Sequence, residues 1–530
     1  MSLAKKYLTT GSIPMAEKNH YDYIIVGSGF GGALSALNLV QKGHSVLVIE
    51  RGKWPARDDS CWDEVQLHLE NPMYRGEVPF YVDQAKGKLK EEWTDDTVGG
   101  MSTLYGAVSF RMREEDFLGA PKEGTDRRDE TCLWPFGYPE LEPYYDKAEK
   151  ILGIAGVRGA DKTEPPRKTD YLHEPSQKLS SPSKKIWDAS EKLGLHPFFL
   201  PMAINFSGKY GKEKCILCST CDHYLCKIEA KNDLAVVALP EAQKSGAAIL
   251  AETRVTKVTT EGTRATGVTA INQATGETLN FTGDNIIVAA GALSSPHLLL
   301  ASDIDTITGN DNIGRYLMRH SNGVVAGIFP SKSNPEKTLQ KQIGIPDFYY
   351  GNPKTKEGPS GTWGMIQDVS SIGRGVIKAN SPFGLKNIAA FVSDFLINLL
   401  VIAEDMPQRD NRVYADKANI DKFGMPALAI HHRYTKRDIE VRDSLYKKAK
   451  KILRKAGALF FVTMPIETFS HALGTCRMGS DAKTSVVDEQ CRVHGMENLY
   501  VIDASAMPAG GSVNPSLTIA ALALKATDSM

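Results

Sequence analysis

The feature that most constrains this chain is a glycine loop set between two short apolar runs. Residues 22–26 read Asp-Tyr-Ile-Ile-Val, a buried strand led by Asp22. Gly27-Ser-Gly29-Phe-Gly-Gly32 follows at once, then residues 33–40 with an apolar helical face. Residues 45–49, Ser-Val-Leu-Val-Ile, form a second strand that ends on Glu50. Strand, glycine turn, helix, strand and terminal acid is the order of a dinucleotide-binding unit. Gly27 permits the tight turn, Gly29 lets backbone approach a pyrophosphate, and Gly32 lets helix and strand pack closely. The helix N-terminus offers N–H groups and a positive dipole end to the phosphates. Glu50 stands where ribose hydroxyls need an acceptor, and its charge repels a 2′-phosphate. This segment alone leaves NAD and FAD both open.

The far end of the chain carries a second signal. Ser470-His471-Ala-Leu-Gly-Thr-Cys476 is followed by Gly510-Gly-Ser-Val-Asn514-Pro515-Ser-Leu-Thr518. His471 and Asn514 are candidates for handling a proton and an oxygen in a ligand site. The imidazole has a pKa near working pH.

The 530 residues are enough for a large core and two domains. Lys+Arg and Asp+Glu both number 63, so capture of nucleic acid or anionic membrane by net charge is excluded as the main business. No secretory or twin-arginine signal is visible, and a cytoplasmic location is expected. The apolar stretch 388–402 is interrupted by Asp394 and Asn398 and is too short and polar to span a membrane. It reads as core or as the wall of an apolar pocket. Residues 436–455 predict a basic helix with Ile439, Leu445, Ile452 and Leu453 on one face and Gly457 as its stop. The Pro/Lys/Ser-rich stretch 159–183 reads as a long surface excursion, a lid or a partner-binding loop.

In the middle, residues 98–106 read Val-Gly99-Gly100-Met-Ser102-Thr-Leu-Tyr-Gly106, and the paired glycines allow close approach to a flat or anionic group. Residues 249–258 read as one strand and 265–271 as a second. Residues 285–290 read as a buried strand running into Gly291 and a helix. Residues 499–503 and the stretch from Thr518 read as strand then helix, with Asp503 at the strand's carboxyl end, where open α/β sheets bind ligands. Of the twelve histidines, His431 and His432 read as strand or surface residues and His494 as surface.

Eight cysteines are present, Cys61, Cys132, Cys476 and Cys491 singly, and Cys215, Cys218, Cys221 and Cys226 in one run. In a cytoplasmic protein such a run suggests a metal or an iron–sulfur cluster before disulfides. Its first two gaps match a ferredoxin run, its last does not, and His223 offers a fourth zinc ligand. A packed loop without metal is the plainer reading.

With these pieces in place the chain resembles the glucose–methanol–choline (GMC) oxidoreductases, FAD-dependent alcohol oxidases and dehydrogenases. The resemblance rests on the glycine loop, Val98-Gly-Gly-Met-Ser, Trp134-Pro-Phe-Gly-Tyr with Leu141-Glu-Pro-Tyr-Tyr, Ala289-Ala290-Gly291-Ala-Leu-Ser-Ser-Pro, Asn312-Ile-Gly-Arg, and the C-terminus from His471. It is nearest to the cholesterol-oxidase-like and bacterial sugar-dehydrogenase branches. Those branches also carry a cysteine-rich segment ending in Ala-Lys, here Ala230-Lys231.

The resemblance implies an α/β protein with a Rossmann-type FAD-binding domain and a discontinuous substrate-binding domain on an antiparallel sheet. The FAD-binding parts would be 16–115, 205–315 and 466–530, and the substrate parts 116–204 and 316–465. The adenosine end would lie on Gly27, Gly29, Gly32, Glu50, Arg51 and Val255. The flavin end would lie near Gly99, Gly100, Ser102, Ala290, Gly291, Asp503, Ala504, Asn514, Pro515 and Thr518. Thr103-Leu104 stands where some relatives carry a flavin-linking histidine, so FAD would be held without a covalent bond. His471 would act as base or as hydrogen-bonding partner, and Asn514 would hold the substrate oxygen. The substrate expected is a sugar, glycoside or polyol, with a steroid or other apolar alcohol as the alternative. Oxygen or a redox partner would accept the electrons. An electron-transfer subunit with an iron–sulfur cluster and an FAD-containing lyase are further alternatives.

Overall fold

The computed structural model describes residues 19–70, 81–83, 95–119, 133–208, 213–351, 358–359, 361–371 and 373–530. Cys132 lies outside them. Two sheets organise the described residues.

The first sheet has seven strands. The buried run His20–Val26 is flanked in parallel by Val46–Ile49 and Thr278–Val288. Ala248–Leu250 extends one side in parallel, and Leu499–Val501 pairs in parallel with Thr278–Val288. Arg264–Asn272 and Thr253–Glu261 continue the other side antiparallel. Val26 stands opposite both Ile49 and Val288, and Val288 opposite Val501. That register brings Gly27, Glu50, Ala289 and Ile502 to one carboxyl edge, where an open α/β sheet takes its ligand. The helix Phe30–Gln41 is buried from Gly31 to Val40 rather than on one face only. It packs against Ser516–Asp528, which packs in turn against Tyr138–Leu152. Its buried amide, Asn38, is satisfied there by Thr527 and Lys147.

The second sheet is antiparallel throughout, in the order Phe460–Pro465, Gly323–Ile328, Leu396–Ala403, Gly364–Val369, Ile343–Ile345, Phe198–Phe199. Side chains alternate across its faces. Val325, Ile343, Ile345, Ile366, Leu399 and Val401 pack on one face against the helices Ser181–Glu191 and Lys436–Ala456. Met365, Gln367, Leu400 and Ile402 are left on the other. The long helix begins with a Thr435–Asp438 capping box and stops at Gly457 in the left-handed region, as the sequence predicts.

Several expectations are corrected. The strand read over 249–258 is two strands, because Glu252 turns the chain with φ 52° and the halves pair with different neighbours. Ile439 is exposed, and the buried face of its helix is built from Val441, Leu445, Ala449, Ile452 and Leu453. The apolar stretch divides: Leu396–Ala403 is core strand, but the helix Lys386–Val392 leaves Ile388 and Phe391 exposed. The excursion 159–183 is pinned rather than free as a lid would be. Arg167 is buried, lies over the Tyr171 ring at 3.7 Å, and pairs with Glu149 and Glu164. His494 is half-buried, its Nε2 3.0 Å from the Gly479 carbonyl, and the His432 ring is buried 3.9 Å from Asp405.

Candidate active site

At the sheet edge the glycines divide by what surrounds them. A Cβ on Gly27 would lie 2.5 Å from the Ala289 carbonyl, and one on Gly32 would lie 2.0 Å from the Gly27 carbonyl. Both are fixed by packing, and Gly27 adds a φ of 99°. A Cβ on Gly29 would meet nothing within 4 Å. Gly29 is also the N-cap of Phe30–Gln41, with no side chain capping the first turn. An open face on a helix N-terminus is what a pyrophosphate requires.

Glu50 is buried, which raises its pKa against the opposing bonds from Ser28 and Gly52. Its Oε2 accepts from the Ser28 amide and hydroxyl and its Oε1 from Gly52 N, so it clasps the glycine loop while lone pairs remain for ribose. Ser28 Oγ also receives Gly99 N at 2.9 Å, and a Cβ on Gly100 would lie 3.2 Å from Gly29 Cα. Gly99 and Gly100 are thus brought beside the phosphate loop. Arg51 pairs with Asp96 at 2.7 Å, and Val255 lies two residues beyond Thr253, whose N–H reaches the Glu50 carbonyl.

Asp503 accepts from Gly291 N, Ser295 Oγ, Ser505 N and Ser505 Oγ and so locks the two turns together. Ala290 N reaches Ser295 Oγ, and the Ala504 carbonyl receives Gly474 N. Two expected contacts are turned inward. Ser102 Oγ bonds the Gly99 carbonyl and Leu234 N, and Thr518 Oγ bonds Tyr145. Any contribution they make to a cofactor comes from backbone, as does that of Pro515, the N-cap of Ser516–Asp528. The loop, the open Gly29 face and the acid at the strand end fit a dinucleotide.

His471 faces His320, Nδ1 to Nδ1 at 3.0 Å with the rings edge to face. Asn322 Nδ2 lies 3.4 Å from the same His471 nitrogen, and its Oδ1 accepts from Ala403 N. That backbone bond turns Asn322 Nδ2 toward His471, and of the two facing ring nitrogens of His320 and His471 one carries a hydrogen that the other accepts. Burial, then the charge of His320 and of Lys341, push the imidazole well below its ordinary 6.5. Behind this pair, Asp405 accepts from the His320 backbone at 3.0 Å and Tyr434 donates to its carbonyl.

Asn514 Oδ1 accepts from Gln367 Nε2 at 2.9 Å, which leaves the Asn514 Nδ2 hydrogens to point elsewhere. Gln367 is fully buried, and its Oε1 has no partner among the described residues. Gln367 stands opposite Leu400, and Gly323, next to Asn322, stands opposite Val401. Asn322 and Gln367 therefore share one face of the second sheet, about 7 Å apart along the strand between them. The sheet carries the supports of His471 and of Asn514 side by side.

Sequence reasoning misses His320, Asn322, Gln367, Asp222 and Lys341. The available signal was polar residues inside apolar strands, as in Met365-Ile-Gln-Asp-Val369. Lys341 and Asp222 form a buried ion pair at 2.9 Å. Burial alone would raise the Asp222 carboxyl, but Lys341, with His223 and Lys231 adding, pulls it down to about 2.

The cysteine run is organised by a lysine. Lys231 is buried, and its ammonium donates to the carbonyls of Tyr105, Cys221 and Tyr224 at 2.9, 3.2 and 2.7 Å. Three donors meet three acceptors. Among the described residues no three His, Cys, Asp or Glu groups stand together as a metal site. His223 is exposed beside Asp222. Burial pushes the Cys215 thiol up to about 11.

The glycine loop at the carboxyl edge of a parallel sheet is the arrangement of a dinucleotide-binding protein. Family models described as GMC oxidoreductase match residues 21–322 and 407–523. The chain belongs to the GMC oxidoreductases, a family that implies FAD and oxidation of alcohol CH–OH groups. It is 29% identical to the 6'''-hydroxyparomomycin C oxidase of Streptomyces lividus, over 95% of this chain and 90% of that one. It is 28% identical to the 2-methyl-1,2-propanediol dehydrogenase of Mycolicibacterium austroafricanum, over 96% and 94%. The crystal structure of pyridoxine 4-oxidase from Mesorbium loti superposes with a TM-score of 0.70 at 19% identity, over 96% and 98%, and shares the fold. No helix among the described residues is long and apolar enough to cross a membrane.

Proposed function

We propose that this chain oxidises the CH–OH group of a hydroxyl-rich substrate, a sugar, glycoside or polyol. The observation that carries the reading is the pair of supported donors, His471 backed by Asn322 and His320, and Asn514 backed by Gln367. Buried polar groups at Gln367 and Lys341 favour a polar ligand over a steroid. The relative named for a hydroxylated aminoglycoside and the relative named for a diol agree with that.

FAD, when bound, supplies the hydride acceptor. Gly27, Gly29, Gly32, Glu50 and the first turn of Phe30–Gln41 would hold its adenosine and phosphates, without a covalent link at Thr103 or Leu104. The remaining work belongs to side chains. His471 Nε2–H and Asn514 Nδ2–H both donate to the substrate oxygen and stabilise the negative charge that grows there as the hydroxyl proton passes to water. Of the two roles considered for His471, the lowered basicity of the buried ring and the Asn322 amide beside it support the hydrogen-bonding one. The chain divides into FAD-binding parts 16–115, 205–315 and 466–530 and substrate parts 116–204 and 316–465.

An anaerobic absorption spectrum tests this. Flavin bands should bleach with a sugar or polyol and far less with a steroid, and readmitted oxygen then separates oxidase from dehydrogenase. A flavin bleached by no alcohol would falsify the proposal.

A further inference from the structure

We propose that Asp222 and Lys341, packed against the chain that leaves the Gly99–Ser102 turn, form a second polar subsite, one that reads a substrate hydroxyl other than the one oxidised. This rests on the oxidation of a hydroxyl-rich substrate proposed above and adds the residues that select it.

The pair is placed by a missing side chain. Gly106 follows the Gly99–Ser102 turn, and a Cβ there would lie 2.7 Å from Asp222 Oδ1 and 2.8 Å from Lys341 Nζ. The ion pair occupies the room that any larger residue would take. The next residue, Ala107, is held at φ 61°, an unusual conformation for a non-glycine residue. Asp222 is presented by the cysteine run, clamped on both sides of it by the Lys231 bonds to Cys221 and Tyr224. Lys341 lies two residues before the strand Ile343–Ile345, and Asp368 fixes the chain there by accepting from Gln342 N and Ile343 N. Both charges act on the His471 ring, Lys341 lowering and Asp222 raising its pKa.

The pair is also incompletely satisfied. Both side chains are almost wholly buried. An ammonium has three donors, and among the described residues Asp222 is the only acceptor that Lys341 reaches. Asp222 Oδ1 has only the exposed His223 ring, at 3.9 Å, beyond hydrogen-bond reach. A buried ion pair is favourable only when its remaining protons and lone pairs find partners. One hydroxyl meets both needs, donating to Oδ1 and accepting from Nζ–H. A sugar or polyol brings such a second hydroxyl, and an alkanol or a steroid oxidised at its single hydroxyl does not.

The test uses the flavin-loaded double variant Lys341→Met with Asp222→Leu, since removing one partner alone would strand a buried charge. Flavin content and circular dichroism check the fold. Anaerobic flavin reduction is measured with glucose, sorbitol and glycerol and with benzyl alcohol and 1-propanol. Calorimetry measures sorbitol binding to the dithionite-reduced enzyme, which cannot turn over. The expected result is a loss of about 10- to 100-fold in reduction efficiency for polyols, with the monoalcohols held within about threefold and sorbitol binding weakened in step. Equal loss on every alcohol would mean that the pair acts on the flavin or on the chemistry, and no loss would mean that it only ties the loop to the sheet. Either overturns the subsite. If the variant does not fold, deoxy analogues of the best polyol decide on wild-type enzyme. One non-reacting hydroxyl must cost about 10- to 100-fold, and a flat series overturns the proposal. Should no alcohol reduce the wild-type flavin, the oxidation reading itself has failed, and sorbitol binding by wild type against variant still judges the subsite.

Discussion

Gln367 donates its side-chain amide to Asn514 Oδ1 at 2.9 Å, from a fully buried position on the second sheet. The donation decides which end of the Asn514 amide faces the substrate. Gln367→Leu removes it and lets Asn514 turn, and Gln367→Met keeps the length of the side chain without a donor. Both variants should lose about 10- to 100-fold in kcat/KM, the worth of one well-placed hydrogen bond, with FAD content unchanged. Stopped-flow flavin reduction reads the effect. A Gln367→Met enzyme as fast as wild type would show that the bond orients nothing.

His471 offers a sharper distinction. If it acts by donating Nε2–H, a glutamine in its place keeps a donor, and His471→Gln should retain at least about tenfold more activity than His471→Ala. If it acts as a base, both lose the same amount. The pH profile carries the same information. The folded pKa lies well below 6.5, so His471 stays neutral as pH falls through 6.5, and kcat/KM should show no acid limb there from this residue. The linkage has a definite sign. The unfolded chain takes up the proton first, so the stability contributed by neutral His471 is complete above the ordinary value. It is lost as pH falls from there toward the folded pKa.

Gly29 and Gly32 should part company on substitution to alanine. A Cβ on Gly32 would lie 2.0 Å from the Gly27 carbonyl, so Gly32→Ala should destabilise the flavin-free protein by about 1–3 kcal/mol or more. Gly29 has φ −68°, which alanine accepts, and open space before it. Gly29→Ala should keep the flavin-free melting temperature and weaken FAD binding by at least about tenfold, because the methyl group stands where phosphate must approach. Thermal melts and FAD titration of the stripped protein separate the two.

The glycine loop was legible because its demands are local. Turn, helix start and strand end lie within thirty residues and obey steric rules that a sequence displays. His471 and Asn514 were legible only through resemblance, since nothing near them in sequence names their task. Their supports were not legible at all. His320 meets His471 across 151 residues, Gln367 meets Asn514 across 147, and Lys341 meets Asp222 across 119. Pairings of that kind are set by sheet register, and register depends on the whole core. The stretch 388–402 shows the same limit, since composition does not say which half of an apolar run faces water. The cysteine run reads chiefly as a packed loop, and what its spacing does not display is that a lysine, Lys231, holds that loop.

Lys231 therefore makes the last prediction. It is buried and spends its whole ammonium on the carbonyls of Tyr105, Cys221 and Tyr224. Lys231→Met keeps much of the bulk but takes the donor from the carbonyls of Tyr105 and Tyr224 and leaves that of Cys221 with only Tyr224 N at 3.4 Å, a loss of about 2 kcal/mol or more. Lys231→Arg should not rescue it, because a planar guanidinium cannot aim three hydrogens at carbonyls arranged around a point. The loop then loosens, Asp222 loses its place against Lys341, and polyol turnover falls with the melting temperature. Chelators give the opposing control. If the loop is held by the lysine, EDTA and phenanthroline leave the melting temperature where it was. If the four thiols instead hold an ion in solution, the chelators lower it and Lys231→Met is mild, because the metal would already fix the same backbone.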